Sequence, residues 1–178
     1  MRQLKKQIPN LELFRDYCRS LISLMKTSHS TLTTRRLELW LFNEVHLGNG
    51  KVKAAYFDDR LYNFCQRIYP GSNIGLLTYH GSLRGGSSGL IRPHKDHGYA
   101  MPKAVSINLG EAEFAIDGKL HKLSDGDICE FNCKLSHSVP RILTPERFSL
   151  VLWTLNQKKG YQSQMVEPMR YAPASYDW

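Results

Sequence analysis

Four side chains in the second half of the sequence are spaced so that they can share one cavity. His94-Lys95-Asp96 puts an imidazole and a carboxylate two residues apart. His137 follows 43 residues later at the head of His-Ser-Val-Pro, and Arg147 comes ten residues after that. Residues i and i+2 of a strand lie on one side, so His94 and Asp96 are expected to face a common interior. With His137 from another strand they form two imidazoles and one carboxylate, a donor set that binds Fe(II) on one face and leaves positions open for oxygen chemistry.

Arg147 then acquires a task. A guanidinium buried in a barrel keeps its charge and is costly to leave unpaired, so it calls for an anion. A dicarboxylate such as 2-oxoglutarate would chelate the metal through its keto-acid end and offer its far carboxylate to Arg147 as a two-point contact. Tyr79 is expected to donate its hydroxyl to the same carboxylate. On the strand around 147–155 the inward set reads Arg147, Ser149, Val151 and Trp153. The outward set, Phe148, Leu150 and Leu152, suits packing against helices. His97 and His121 are rival imidazoles, but neither is followed by an arginine at a comparable position. His97 reads as a pocket-rim residue and His121 as a surface strand residue. Cys129 and Cys133, spaced C-x3-C with no second pair, make a poor zinc site.

The elements that must carry these groups are legible in the hydrophobic pattern. Asn10 is placed to cap a helix running to about Lys26, with Leu11, Phe14, Tyr17, Leu21, Leu24 and Met25 on one face. Asp58 or Asp59 starts a second helix, which buries Leu61, Tyr62, Phe64, Cys65 and Ile68 and ends at Pro70-Gly71. Strands are expected at 37–42, 74–80, 104–109, 112–116, 128–132, 137–143 and 147–155. Asp117-Gly118 reads as a two-residue hairpin loop. Helices followed by short antiparallel strands predict an α+β, mainly β chain: a jelly-roll or cupin-like barrel buttressed on one face by N-terminal helices. The glycine-rich stretch Gly81–Gly89 lacks the strand-to-helix setting of a phosphate loop and is expected to form a rim.

The 178 residues are expected to form one domain, with support in 1–73, a barrel core in 74–155 and a tail in 156–178. No run approaches the ~18 apolar residues of a membrane span, and the N-terminus has no apolar signal core, so the expected setting is cytoplasmic. Four scattered cysteines read as reduced core thiols. The net charge is +8, and the first 36 residues hold eight basic side chains against two acidic ones. A basic N-terminal arm on a nearly neutral body suits a polyanionic partner such as nucleic acid. A solvated basic surface without a partner explains the same count.

The stretch from Leu76 to Trp153 resembles the catalytic core of the AlkB-like Fe(II)/2-oxoglutarate dioxygenases. The matching pieces are Leu-Leu-Thr-Tyr79, His94-Lys-Asp96, Ala-Val-Ser-Ile-Asn-Leu-Gly110, Leu-Ser-Asp-Gly-Asp-Ile, His137-Ser-Val-Pro and Arg147-Phe-Ser-Leu-Val-Leu-Trp153. The resemblance implies a double-stranded β-helix, Fe(II) held by His94, Asp96 and His137, and 2-oxoglutarate held by Arg147 with help from Tyr79. It also implies O2-dependent oxidative demethylation of alkylated bases, with single-stranded or alkylated nucleic acid as partner. The expected state is monomeric. The chain departs from the family at two points: Trp153 stands where the last strand usually ends in a second arginine, and Gly98 lies two residues after the aspartate. The alternatives are an oxygenase for a small metabolite or a protein side chain, and a barrel that binds without catalysing.

Overall fold

The structure, a computed structural model, describes residues 1–46, 52–53, 56–81, 90–159 and 161–165. In chain order the elements begin with β1 (Arg2–Gln3), α1 (Leu11–Ser20), a single 3-10 turn (Ile22–Leu24), β2 (Lys26–Thr27), β3 (Arg36–His46), β4 (Val52–Lys53) and α2 (Asp59–Ile68). There follow β5 (Ile74–Gly81), β6 (Ile91–His94), β7 (Ala100–Leu109), β8 (Ala112–Ile116), β9 (Lys119–Leu123) and β10 (Ile128–Asn132). The last are β11 (His137–Ile142), β12 (Glu146–Leu155), a 3-10 turn (Gln157–Lys159) and β13 (Gln162–Met165). Nine strands make the larger sheet, in the order β1-β10-β7-β12-β5-β3-β13 with β2 and β4 also on β3. The four-stranded sheet is β6-β11-β8-β9. All strand pairs are antiparallel, and the mainly β jelly-roll predicted from the pattern is what forms.

Both helices begin where a side chain can satisfy the first free N–H groups. The Asn10 side chain accepts from Leu13 N at 3.1 Å. That of Asp58 accepts from Arg60 N and Leu61 N at 2.8 and 3.1 Å. The first helix stops at Ser20 rather than near Lys26, because Lys26 and Thr27 are drawn into the sheet opposite Glu38 and Leu37. Both helices lie on the outer face of the large sheet. Phe14 and Phe64 meet at 4.9 Å between ring centres, above Phe148, Leu150 and Leu152 of β12 and Val105, Ile107 and Leu109 of β7. All eight side chains are almost fully buried, which is worth roughly 1.5–3 kcal/mol apiece for side chains of this size.

The hairpin between β8 and β9 turns on Asp117 and Gly118, both at positive φ (50° and 74°), as a two-residue loop of this sequence requires. Strands β6 and β9 carry His94 and His121 as the sequence reading expected, and the structure sets their bounds; the former is short and half-exposed and the latter has Lys-Leu-His-Lys-Leu with little apolar contrast.

The basic N-terminus is not a free arm. Arg2 pairs with Glu130, Arg15 with Asp125 and Glu12, Arg19 with Asp16 and Glu146, and Arg36 with Glu38. Lys6 Nζ donates to the carbonyls of Arg67 and Ile68 at the C-terminal end of α2, where a cation is favoured. Five of the eight positive charges expected to meet a polyanion are thus engaged within the molecule. Residues 82–89 of the glycine-rich stretch expected to form a rim, and the tail beyond Met165, lie outside the described residues. No helix among the described residues is long and apolar enough to cross a membrane.

Candidate metal and anion site

The barrel interior holds a cavity of about 560 Å³. His94, Asp96 and His137 line it, with one ligand atom from each lying within 4.8 Å of the others. It is the one such grouping of three metal-ligating side chains among the described residues.

His94 closes β6 and faces His137 at the start of β11 across a paired register position. Their rings stand 4.3 Å apart. Each imidazole is aimed by its own backbone. His94 Nδ1 lies 2.8 Å from the Arg92 carbonyl and His137 Nδ1 lies 2.9 Å from the Leu135 carbonyl. A carbonyl oxygen can only accept, so Nδ1 carries the hydrogen in both rings and Nε2 keeps its lone pair when the ring is neutral. Both Nε2 atoms point at Asp96 Oδ1, at 3.5 and 3.4 Å. Backbone-oriented imidazoles meeting one carboxylate oxygen are what a metal-binding set requires of its supporting contacts.

Asp96 itself is not on the strand. The residue lies past the end of β6, where its N–H donates to the Cys133 carbonyl at 2.9 Å. Lys134 Nζ donates to the carbonyls of Asp96 and His97 at 3.2 and 2.7 Å. The loop therefore does what strand alternation was expected to do. Burial works to raise the Asp96 pKa, but hydrogen bonds that His137 and His94 donate from Nε2 when protonated, with that of Trp153, hold the carboxyl well below the usual carboxylate range. Burial likewise opposes the charged form of His94, yet Asp96 and the Arg92 carbonyl together raise its pKa above the ordinary value.

Arg147 opens the inward set of β12 and is 2% exposed. Its Nε donates to Asn108 Oδ1 at 2.8 Å, while Nη1 has no partner. Among the described residues no carboxylate neutralises the group, and burial lowers its pKa to about 10. Asn108 is held the right way round because its amide nitrogen donates to the carbonyls of Gly110 and Ser124, leaving only the oxygen to face Arg147. The Gly110 turn is fixed in turn by Asp125, whose Oδ1 accepts from Gly110 N at 2.7 Å and whose other oxygen takes Arg15 of α1. Gly110 has φ +97°, and a Cβ there would come within 2.6 Å of the Glu146 carbonyl. Only glycine serves at this turn.

Tyr79 is not at the cavity. Its ring packs on Phe148 at 4.9 Å, on the helix side of the sheet. On β5 the inward residues are Leu76, Thr78 and His80, and Arg147 pairs with His80 rather than with Tyr79. His80 is completely buried with both ring nitrogens unpartnered. Burial, with the nearby charges of Arg147 and Arg36, lowers its pKa to about 3 and keeps it neutral. Asn108 and His80 are the residues that sequence reading missed. Asn108 was signalled by small or polar side chains at alternate positions of β7 (Ala104, Ser106, Asn108) between Val105, Ile107 and Leu109. His97 is exposed at the cavity edge and stacks on Tyr99 at 4.8 Å. His121 sits on β9 opposite Phe114 and does not line the cavity. Cys129 and Cys133 are buried free thiols.

No protein-family model matches the sequence, and a search of curated proteins found no match. Solved structures do match. That of OsALKBH1 superposes with a TM-score of 0.64 at 16% identity, covering 85% of this chain and 95% of the other. A prolyl-4-hydroxylase from Pseudomonas putida gives 0.56 at 15% identity, covering 87% and 92%. The fold is similar to that of these two proteins over most of the chain. At these identities the likeness concerns the fold, and the chemistry has to be argued from the cavity. There the donor set of two imidazoles and a carboxylate fits Fe(II), and the unpartnered Arg147 Nη1 fits a carboxylate.

Proposed function

We infer that this chain is an Fe(II)/2-oxoglutarate-dependent dioxygenase that demethylates alkylated bases of single-stranded nucleic acid. The observation that carries the reading is one cavity lined by both a metal-ligating triad and a buried guanidinium lacking an anion. His94, Asp96 and His137 would hold the metal, while Arg147, steadied by Asn108 and next to His80, would hold the far carboxylate of the cosubstrate. Bound iron, 2-oxoglutarate and O2 supply oxidative hydroxylation of an N-methyl group, which is then lost as formaldehyde. The protein contributes orientation and exclusion of water. A flipped base requires a stacking surface and a cationic approach. Trp40, Tyr99 and Trp153 line the cavity, and Lys95 and His97 stand exposed at its edge.

A second reading, hydroxylation of a small metabolite or a protein side chain, is favoured by the internal pairing of the N-terminal charges. The test is succinate release from 2-oxoglutarate with added Fe(II), with and without a methylated single-stranded oligonucleotide. Formaldehyde formed in step with succinate supports base demethylation. Uncoupled succinate release that the oligonucleotide does not stimulate turns the assignment to the second reading, and no succinate under any condition overturns both.

A further inference from the structure

The two carboxylate oxygens of Asp96 have different neighbours. Oδ1 faces the imidazoles, whereas Oδ2 accepts a hydrogen bond of 2.8 Å from the indole Nε1 of Trp153. Because Asp96 lies past the end of β6, its backbone N–H and carbonyl are tied to Cys133 and Lys134, and neither contact fixes the rotation of the carboxylate. Trp153, by contrast, is well fixed. It is 5% exposed in the middle of the large sheet, paired with Ile74 on one side and Ala104 on the other. Its ring stacks on Trp40 at 6.3 Å and 25°, and Trp40 meets Tyr99 edge-on at 6.1 Å. An indole has one donor and no acceptor, so the bond can be made in one sense only.

We propose that Trp153 is a positioning residue for the metal ligand: its N–H occupies Oδ2 and makes Asp96 offer the ion a single oxygen, Oδ1. This inference rests on the metal reading of the triad. Without the indole, the carboxylate turns about its Cβ–Cγ bond and presents both oxygens, which takes up a position otherwise open to another ligand. The donor is neutral, so Asp96 keeps its full negative charge for the cation; a guanidinium at the same place would offset it. Contacts of this kind to a ligating carboxylate alter metal affinity about 10–100-fold when removed.

The experiment uses Co(II) as the probe, read by its visible absorption, with the whole chain. Trp153→Phe keeps an aromatic ring beside Trp40 and removes the N–H donor together with the five-membered ring that bears it. The expected result is Co(II) binding weakened about 10–100-fold with displaced absorption bands, alongside the lower melting temperature that the lost ring volume brings. A variant that binds Co(II) as tightly as the wild type, with the same spectrum, overturns the role of Trp153 and leaves the metal reading standing. Absence of Co(II) binding by the wild type overturns both. A second measurement needs no variant. Trp40, Trp153 and Trp178 give three indole N–H resonances, and one of them should exchange slowly with solvent and move when Zn(II) is added. Three indole signals that ignore Zn(II) would overturn the proposal.

Discussion

The large sheet has two faces with opposite characters. Its outer face meets the helices through Phe148, Leu150, Leu152, Val105 and Ile107, and the packing there is apolar and closed. Its inner face carries Arg147, Ser149, Ser106 and Thr78, which line a cavity of about 560 Å³, with Asn108 and His80 buried beside Arg147. The same strands contribute to both, alternating residue by residue. One face holds the barrel together, and the other keeps space and uncompensated polar groups that a purely structural core would not retain. Stability and chemistry are therefore separable by parity along a single strand.

That separation can be broken from either side. The largest expected effect is on the inner face: His137→Ala should reduce metal-dependent turnover to background while the chain stays folded, because one of three ligands is gone. Turnover that survives would mean a different metal site. Next in size, Phe148→Ala on the outer face should cost about 3–5 kcal/mol of stability in denaturant titrations while Co(II) affinity stays as in the wild type. A loss of metal affinity of comparable size would show that the two faces are not independent.

Arg147→Met should act in opposite senses on the two properties. It removes a buried charge with no counter-ion, so the ligand-free protein should gain on the order of 1–3 kcal/mol, while the 2-oxoglutarate requirement rises steeply. A destabilised variant would show that the guanidinium serves the fold. The smallest effect concerns pH. Arg147 is shifted down to about 10 and His80 down to about 3, so neither changes charge between about pH 6 and 9. At saturating metal the apparent KM for 2-oxoglutarate should be flat over that interval. A step near neutral pH would point to another titrating contact.

Much of this architecture was readable in the sequence where a residue's type forces its position. The Asn10 and Asp58 caps, the Asp117-Gly118 loop, and the inward and outward sets of β12 follow from local chemistry. The reading failed where both faces of a strand are buried. Residues 74–78 and His80 of β5 are all buried, so alternation does not say which side is the interior, and Tyr79 was assigned to the wrong face. Register against β12 decides it, by setting His80 beside Arg147. The pairing of the charges was not legible for a related reason. The count of basic residues near the N-terminus is correct, but partners such as Glu130, Asp125 and Glu146 lie more than 100 positions away. Nothing in the sequence announces the bond from Trp153 to Asp96, which depends on a loop conformation beyond β6.

The bond from Arg15 to Asp125 gives the outer layer a say in the inner one. Asp125 fixes the Gly110 turn, whose carbonyl orients Asn108, which in turn aims Arg147. A substitution on the first helix can thus adjust how firmly an anion is gripped without altering any wall of the cavity. If Arg147 holds the cosubstrate as proposed, selection has a dial on that grip located on a helix outside the cavity lining.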